Sequence, residues 1–235
     1  MKNIIHFSII AVIVILMSSV RTHATNENYG NPTILENLEN HDTDVKTKLD
    51  DILAAVQNGG GDCPDAPVEK TGQIIPYWQG DDGELERGVA WPDPRFTDNG
   101  DGTITDNLTH LIWDKDADRF GSQTWILALN ACNLLAENGV DLTDGSQVGD
   151  WSLPNYKEIV SLLHLGVSNP ALPDTLGTGK WSDGDPFHNV QTGYWTSTTD
   201  HFQNSKAWIV GMQDGSLLTG DKGISGRAWC VRGGP

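Results

Sequence analysis

The stretch Asp98-Asn99-Gly100-Asp101-Gly102 has the oxygen-rich, glycine-punctuated look of a calcium loop. Its register fails. With the invariant glycine placed at Gly102, Thr97 falls at the first ligand position and Leu108 at the twelfth, where carboxylates are required. The stretch reads instead as a tight hairpin turn, because Asn and Gly supply positive φ between β-rich arms at 95–97 and 103–105. Asp183, Asp185 and Asp200 are left as carboxylates that could line an oxygen-rich site, without a motif to hold calcium. No metal ligand and no cofactor is assigned. His188 with Asp185, and His201 with Asp200, are the conceivable acid–base pairs. Neighbouring strand residues point to opposite faces, and neither pair comes with a nucleophile. No catalytic residue emerges, and the chain is expected not to be an enzyme.

Recognition chemistry is better represented. Asp200, His201, Phe202, Gln203, Asn204 and Lys206 mix charge, amide and aromatic area within one short segment. Gln213, Asp214 and Ser216 repeat the mixture, as do Asp221, Lys222 and Arg227. Aromatic side chains bring contact area at low entropy cost while amides adapt to a partner. Trp195 and Trp229 are the tryptophans nearest this face and are read with it, whereas Trp113, Trp125, Trp151 and Trp208 are read as core.

The elements that would carry this face belong to an acidic, export-competent chain. Lys2, the apolar run 4–20 and Thr22-His23-Ala24 read as a signal peptide over residues 1–24. The apolar run is short for a membrane span and contains His6. Removing residues 1–24 takes away Lys2 and Arg21 and no acid, so the formal charge of −17 becomes more negative by two. Such a chain repels nucleic acid and anionic surfaces at long range. Its three cysteines, Cys63, Cys132 and Cys230, amount to one pair and one left over, with no zinc spacing among them.

Residues 25–33 are expected to be disordered. Residues 34–57 form a heptad seam, with Leu35, Asp42, Leu49 and Val56 at one core position and Leu38, Val45 and Ile52 at the other. That pattern predicts a short coiled-coil stalk of about three heptads and hence a homo-oligomer. Residues 58–67 are a glycine-rich linker containing Cys63, which is placed to cross-link neighbouring chains or to stay a free thiol. Residues 68–235 are one domain of ordinary size, holding all nine tryptophans. Within it, Leu111-Ile112-Trp113 reads as a strand, and a helix capped by Ser122 or Thr124 runs to Asn138-Gly139. Asn155 with Glu158 makes a capping-box start for a second helix ending at Leu165-Gly166. A long loop at 167–193 comes next, then strands near 194–197, 206–211, 216–219 and 227–232. The fold class is α+β.

Four blocks in this order carry a resemblance: residues 95–109, Trp151-Ser152-Leu153-Pro154, Trp195-Thr196-Ser197-Thr198 and Cys230-Val231-Arg232. With Ala207-Trp208-Ile209-Val210 they resemble the Lcl C-terminal domain family, over about residues 68–235. Ser152 stands where the family pattern has an arginine, removing a cation that would brace the neighbouring loop. The resemblance implies a C-type-lectin-like fold, two helices packed on short, mostly antiparallel sheets with a long loop. It also implies a disulfide from Cys132 in the first helix to Cys230 at the last strand. Closing a loop of that length restricts the unfolded chain by roughly 4–5 kcal/mol. Formylglycine-generating enzymes share the superfamily, but their reactive cysteine pair has no counterpart here. The lectin-type calcium tripeptides are missing as well. The expected function is therefore an exported, adhesin-like binder of a surface protein or glycan, secreted or at the cell surface or in the periplasm. The competing expectation is a structural spacer in an envelope or extracellular assembly.

Overall fold

The computed structural model describes residues 45–48, 50 and 68–233. Residues 45–48 are helical. The signal peptide, the segment 25–33, the rest of the proposed stalk and the whole linker with Cys63 lie outside the described residues. The chain divides into two units, residues 1–64 and 65–235. Every strand among the described residues belongs to the second.

That unit is mixed and mostly β, with few helices. In chain order it contains α1 (Asp82–Leu85), β1 (Phe96–Asp98), β2 (Thr103–Asp106), β3 (Ile112–Asp114), β4 (Ser122–Thr124) and α2 (Trp125–Leu134). It continues with α3 (Tyr156–Val160), β5 (Gly193–Thr199), β6 (Lys206–Gly211), β7 (Leu217–Asp221), β8 (Ser225–Arg227) and β9 (Val231–Arg232). One sheet has the order β1-β2-β3-β9 and the other β4-β8-β5-β6-β7. Every pairing is antiparallel except β5 with β8.

The hairpin forms where turn chemistry placed it, with Thr97 opposite Thr105. The Asp98 carboxylate accepts from the Gly100 amide and that of Asp101 from Thr103, so one oxygen of each acid sets the turn. The capping box of α3 is also present, with the Asn155 side chain accepting from Glu158 N–H and Glu158 reaching back to Asn155 N–H.

Helix lengths differ from the expectation. Of the two candidate caps, Thr124 is the N-cap of α2, without a side-chain cap bond, whereas Ser122 lies at the start of β4, paired with β8. α2 stops at Leu134, because Leu135 is extended and Asn138 builds a turn of its own, its side chain accepting from the amides of Val140, Asp141 and Leu142. α3 stops at Val160. Beyond it His164 N–H is drawn to Ala171 and Leu165 N–H to Thr71, so tertiary partners replace helical ones. The expected last strand is two strands in different sheets, joined by the buried crossing Ala228-Trp229-Cys230.

Two apolar clusters fill the unit. Trp113, Tyr194 and Trp229 belong to one, together with Phe96, Ile159 and Phe187. Ile112, Trp195 and Cys230 belong to the other, with Ala128, Leu142, Trp151 and Leu153. Successive residues of β3 and β5 thus enter opposite clusters, so these strands are covered on both faces. The disulfide Cys132–Cys230 stands in the second cluster and joins α2 to the segment preceding β9. The loop 167–193 is threaded into the core rather than laid over it, since Ala171, Leu172 and Phe187 are fully buried. Arg232 lies 5.5 Å from the centre of the Trp151 ring and faces Asp144 at 3.3 Å.

His164 is buried at the seam between residues 70–91 and the core. Its ring meets Trp91 edge-on at 5.1 Å and its Nδ1 accepts from Gly166 N–H. Asp174 and Arg95 are the charges that act on it. Burial, reinforced by Arg95, outweighs the backbone hydrogen bond and Asp174 and holds the imidazole below its ordinary value of 6.5. The unfolded chain then binds the proton more readily, so this contribution to stability is complete above 6.5 and is lost as pH falls toward the folded value. Thermal melts between pH 7.5 and 5 are expected to fall with pH more steeply for the wild type than for His164→Asn. Parallel curves would rule the histidine out as the cause.

Candidate ligand-recognition face

The sequence-predicted contact residues do not all share one surface. Trp195 and Trp229 are fully buried, a correction to their assignment to the face. Alternation along β5 sends Tyr194 and Trp195 into different clusters, and both clusters are closed, so neither aromatic reaches solvent. The Trp195 indole N–H donates to Gln123 O and that of Trp229 to Asp114 O, which satisfies both inside the protein. Of the tryptophans read as core, Trp113 and Trp151 are fully buried, whereas Trp125 and Trp208 are half-buried.

Apart from Arg227, which lies on β8 opposite Tyr194, the remaining residues divide between the two ends of β6. Lys206 lies opposite Asp221 and Val210 opposite Leu217. Residues 200–206 and 221–224 therefore share one end of the sheet. Gln213, Asp214 and Ser216 form the β6–β7 turn at the other, about 17 Å away at a strand rise of ~3.3 Å. That far turn is held by Asp214 accepting from Ser216, which keeps its carboxyl below the usual range. Gln213 borders a groove of 210 Å³ with Trp181 and Gln191.

The near end is built around two carboxylates and one cation. Asp200, 9% exposed, accepts from the amides of Phe202 and Gln203 and sets the path of the β5–β6 loop. Asp221 accepts from Gly223 N–H and sets the β7–β8 turn. The Lys222 ammonium donates to Thr199 Oγ1 and Asn204 O, each at 2.9 Å, and lies 4.0 Å from the centre of the Trp125 ring. Trp125 N–H in turn donates to Lys222 O, and its indole to Thr196 O. Lys222 is thus a strut that ties loop, turn and helix start together, with its donors largely used. Arg227 is committed too, its Nη1 contacting both Asp118 carboxylate oxygens at 2.7 and 2.8 Å.

On this braced scaffold Phe202 is 92% exposed, its ring meeting His201 edge-on at 5.4 Å. Ile126 and Ile224, each at least half exposed, stand on the two segments joined by the Trp125–Lys222 backbone bond. The face can therefore offer apolar contact area on a backbone already ordered by hydrogen bonds. Trp125 and Thr199 were missed as scaffold residues, because nothing local in the sequence signals a partner so remote in the chain. Asp183, Asp185 and Asp200 serve separate turns, accepting from Asn189, Thr175 and Phe202 respectively. Among the described residues no group of three or more His, Cys, Asp or Glu has a metal-holding arrangement.

The model of the Lcl C-terminal domain matches residues 102–232. The match starts within the hairpin turn, so residues 68–101 of the wider resemblance lie outside it. No curated protein matches the chain.

Proposed function

The chain belongs to the Lcl C-terminal domain family, and from that premise we propose that it is an exported, non-catalytic recognition protein. It engages a surface protein or glycan through the end of the five-stranded sheet that carries Phe202. A C-type-lectin-like fold is part of the reading, supported by the antiparallel sheets and by a disulfide running from α2 to the segment before β9. Export is supported by that disulfide, which persists in oxidising compartments. No described helix is long and apolar enough to cross a membrane.

One observation carries the binding role. A phenylalanine 92% exposed stands on a loop whose backbone is pinned by a nearly buried aspartate and a cation locked against a tryptophan. Exposed aromatics on ordered backbone are where binding energy concentrates. The stalk at residues 34–57 would multiply the face by self-association.

The test is an array of glycans and candidate surface proteins, probed with the full chain in calcium and in chelator. A selective hit is expected, weakened by on the order of tenfold in Phe202→Ala with the melt unchanged, since so exposed a side chain contributes little to folding. Equal binding by wild type and Phe202→Ala would remove the face. A blank from folded protein would favour the spacer role instead.

A further inference from the structure

We infer that a second binding site, separate from the Phe202 face, lies in the cleft between the β1–β2 turn, the β3 exit and residues 140–143, and that it takes a neutral polyhydroxylated ligand such as one sugar residue. The cleft encloses 490 Å³, within the range of roughly 300–1,000 Å³ common for small-molecule sites. It shares no lining residue with the recognition face.

Its walls are fixed before any ligand arrives. Thr143 N–H donates to Asp101 O and Lys115 N–H to Gly102 O, which clamp the 140–143 loop and the β3 exit onto the hairpin turn. His188 N–H donates to Lys115 O, Ala117 N–H to His188 O, and the Asn189 amide to Asp116, which bring in the long loop. Gly102, at φ +90, is needed for this closure, because a Cβ there would run into the Asp141 carbonyl. Segments distant in sequence thus form one preorganised concavity.

The lining chemistry selects the ligand. Val140, 86% exposed at the lip, is the one aliphatic side chain among the lining residues, so an apolar ligand finds little to bury against. Both cations are already engaged. Lys115 pairs with Asp98 at 2.6 Å, and Arg119 donates to Asp114 at 2.8 Å and to Asp141 at 2.6 Å. These bonds hold the Arg119 guanidinium above its ordinary value against the opposing effect of burial. Three lining carboxylates, Asp101, Asp116 and Asp141, outnumber the two cations, which disfavours phosphate, sulfate or uronate. An ammonium would in turn meet Lys115 and Arg119.

Unspent hydrogen-bonding capacity remains on both sides. Asp101 uses one oxygen on Thr103, and Asp116 uses one on Asp118 and Asn189, leaving the second oxygen of each. Arg119 keeps two of its five donors after its three carboxylate bonds. A hydroxyl both donates and accepts, so a ring with adjacent hydroxyls satisfies these groups without adding charge.

The experiment is an amide-resolved NMR titration of the full ¹⁵N-labelled chain with methyl glucoside, methyl galactoside and methyl mannoside, and with glucosamine and glucuronate as charged counterparts. The expected result is saturable shifts at Gly102, Thr143 and Asn189 with a neutral glycoside, and weaker or no shifts with the charged sugars. Asp116→Asn and Val140→Trp are each expected to weaken binding by on the order of tenfold, and Phe202→Ala to leave it unchanged. Val140 is so exposed that its replacement blocks the mouth without entering the core. Shifts confined to glucosamine or glucuronate would overturn the ligand class. No shift at these amides with any neutral glycoside, or equal binding by both cleft variants, would overturn the site. Loss of glycoside binding in Phe202→Ala would show that the two surfaces are not separate.

Discussion

Removing the Cys132–Cys230 bridge lowers the stability of the domain by about 4–5 kcal/mol, the entropy of a closed loop with a sequence separation of 98. For a unit of this size that corresponds to a thermal midpoint lower by about 10–15 °C. The bridge also joins two buried residues, 0% and 1% exposed, in the cluster that holds Trp151 and Trp195. The double substitution Cys132→Ala/Cys230→Ala avoids burying thiols and keeps the test to the cross-link and a small loss of packing. Calorimetry of this variant, beside wild type with and without reductant and with the mass shift verified, measures the effect. A midpoint unchanged within a few degrees in verified reduced protein would mean that the clusters hold without the bridge.

Asp106→Ala is expected to cost about 3–5 kcal/mol, because it strands a guanidinium that has no access to water. Arg95 and Asp106 are both fully buried and meet through two bonds, of 2.9 and 3.0 Å. Arg95 donates further to Ser161 O and is stacked near Trp91 at 4.5 Å and Phe96 at 5.1 Å. Its Nη1 has no partner even in the intact protein, so little is in reserve when the carboxylate goes. Asp106 also accepts from Leu108 N–H and Thr109 Oγ1, which shape the turn after β2. The pair therefore stands at the base of the hairpin whose tip walls the cleft. Denaturant unfolding of Asp106→Ala, Arg95→Met and the double variant Arg95→Met/Asp106→Leu reads it out. The double variant should recover part of the loss, since breaking one partner is worse than removing both. A cost below about 1 kcal/mol for Asp106→Ala would show that water reaches the guanidinium after all.

Much of the domain was legible because its signals are local. The β1–β2 hairpin is written in Asp98-Asn99-Gly100-Asp101-Gly102, and α3 begins at the capping box formed by Asn155 and Glu158. Family blocks spread from residue 95 to Arg232 placed the chain in its family, and the Cys132–Cys230 pairing came with that resemblance. Missed features share a different cause. Leu135 and Leu165 sit in helix-compatible sequence, yet neighbouring segments take their backbone groups or turn them aside. Trp195 reads as a contact residue until both faces of β5 are seen to be covered.

The sequence by itself therefore determined the hairpin, the capped helix, the acidity of the chain and the residues of the exposed β5–β6 loop. Those depend on turn conformations, caps and charges set within a few residues. Only the tertiary structure decided that Gln213, Asp214 and Ser216 stand at the opposite end of the sheet from Phe202. It also decided that Lys222 is a strut against Trp125 and that residues near 101, 116, 141 and 188 enclose one cleft. Such relations depend on strand register, sheet order and long-range backbone bonds, which no single segment encodes.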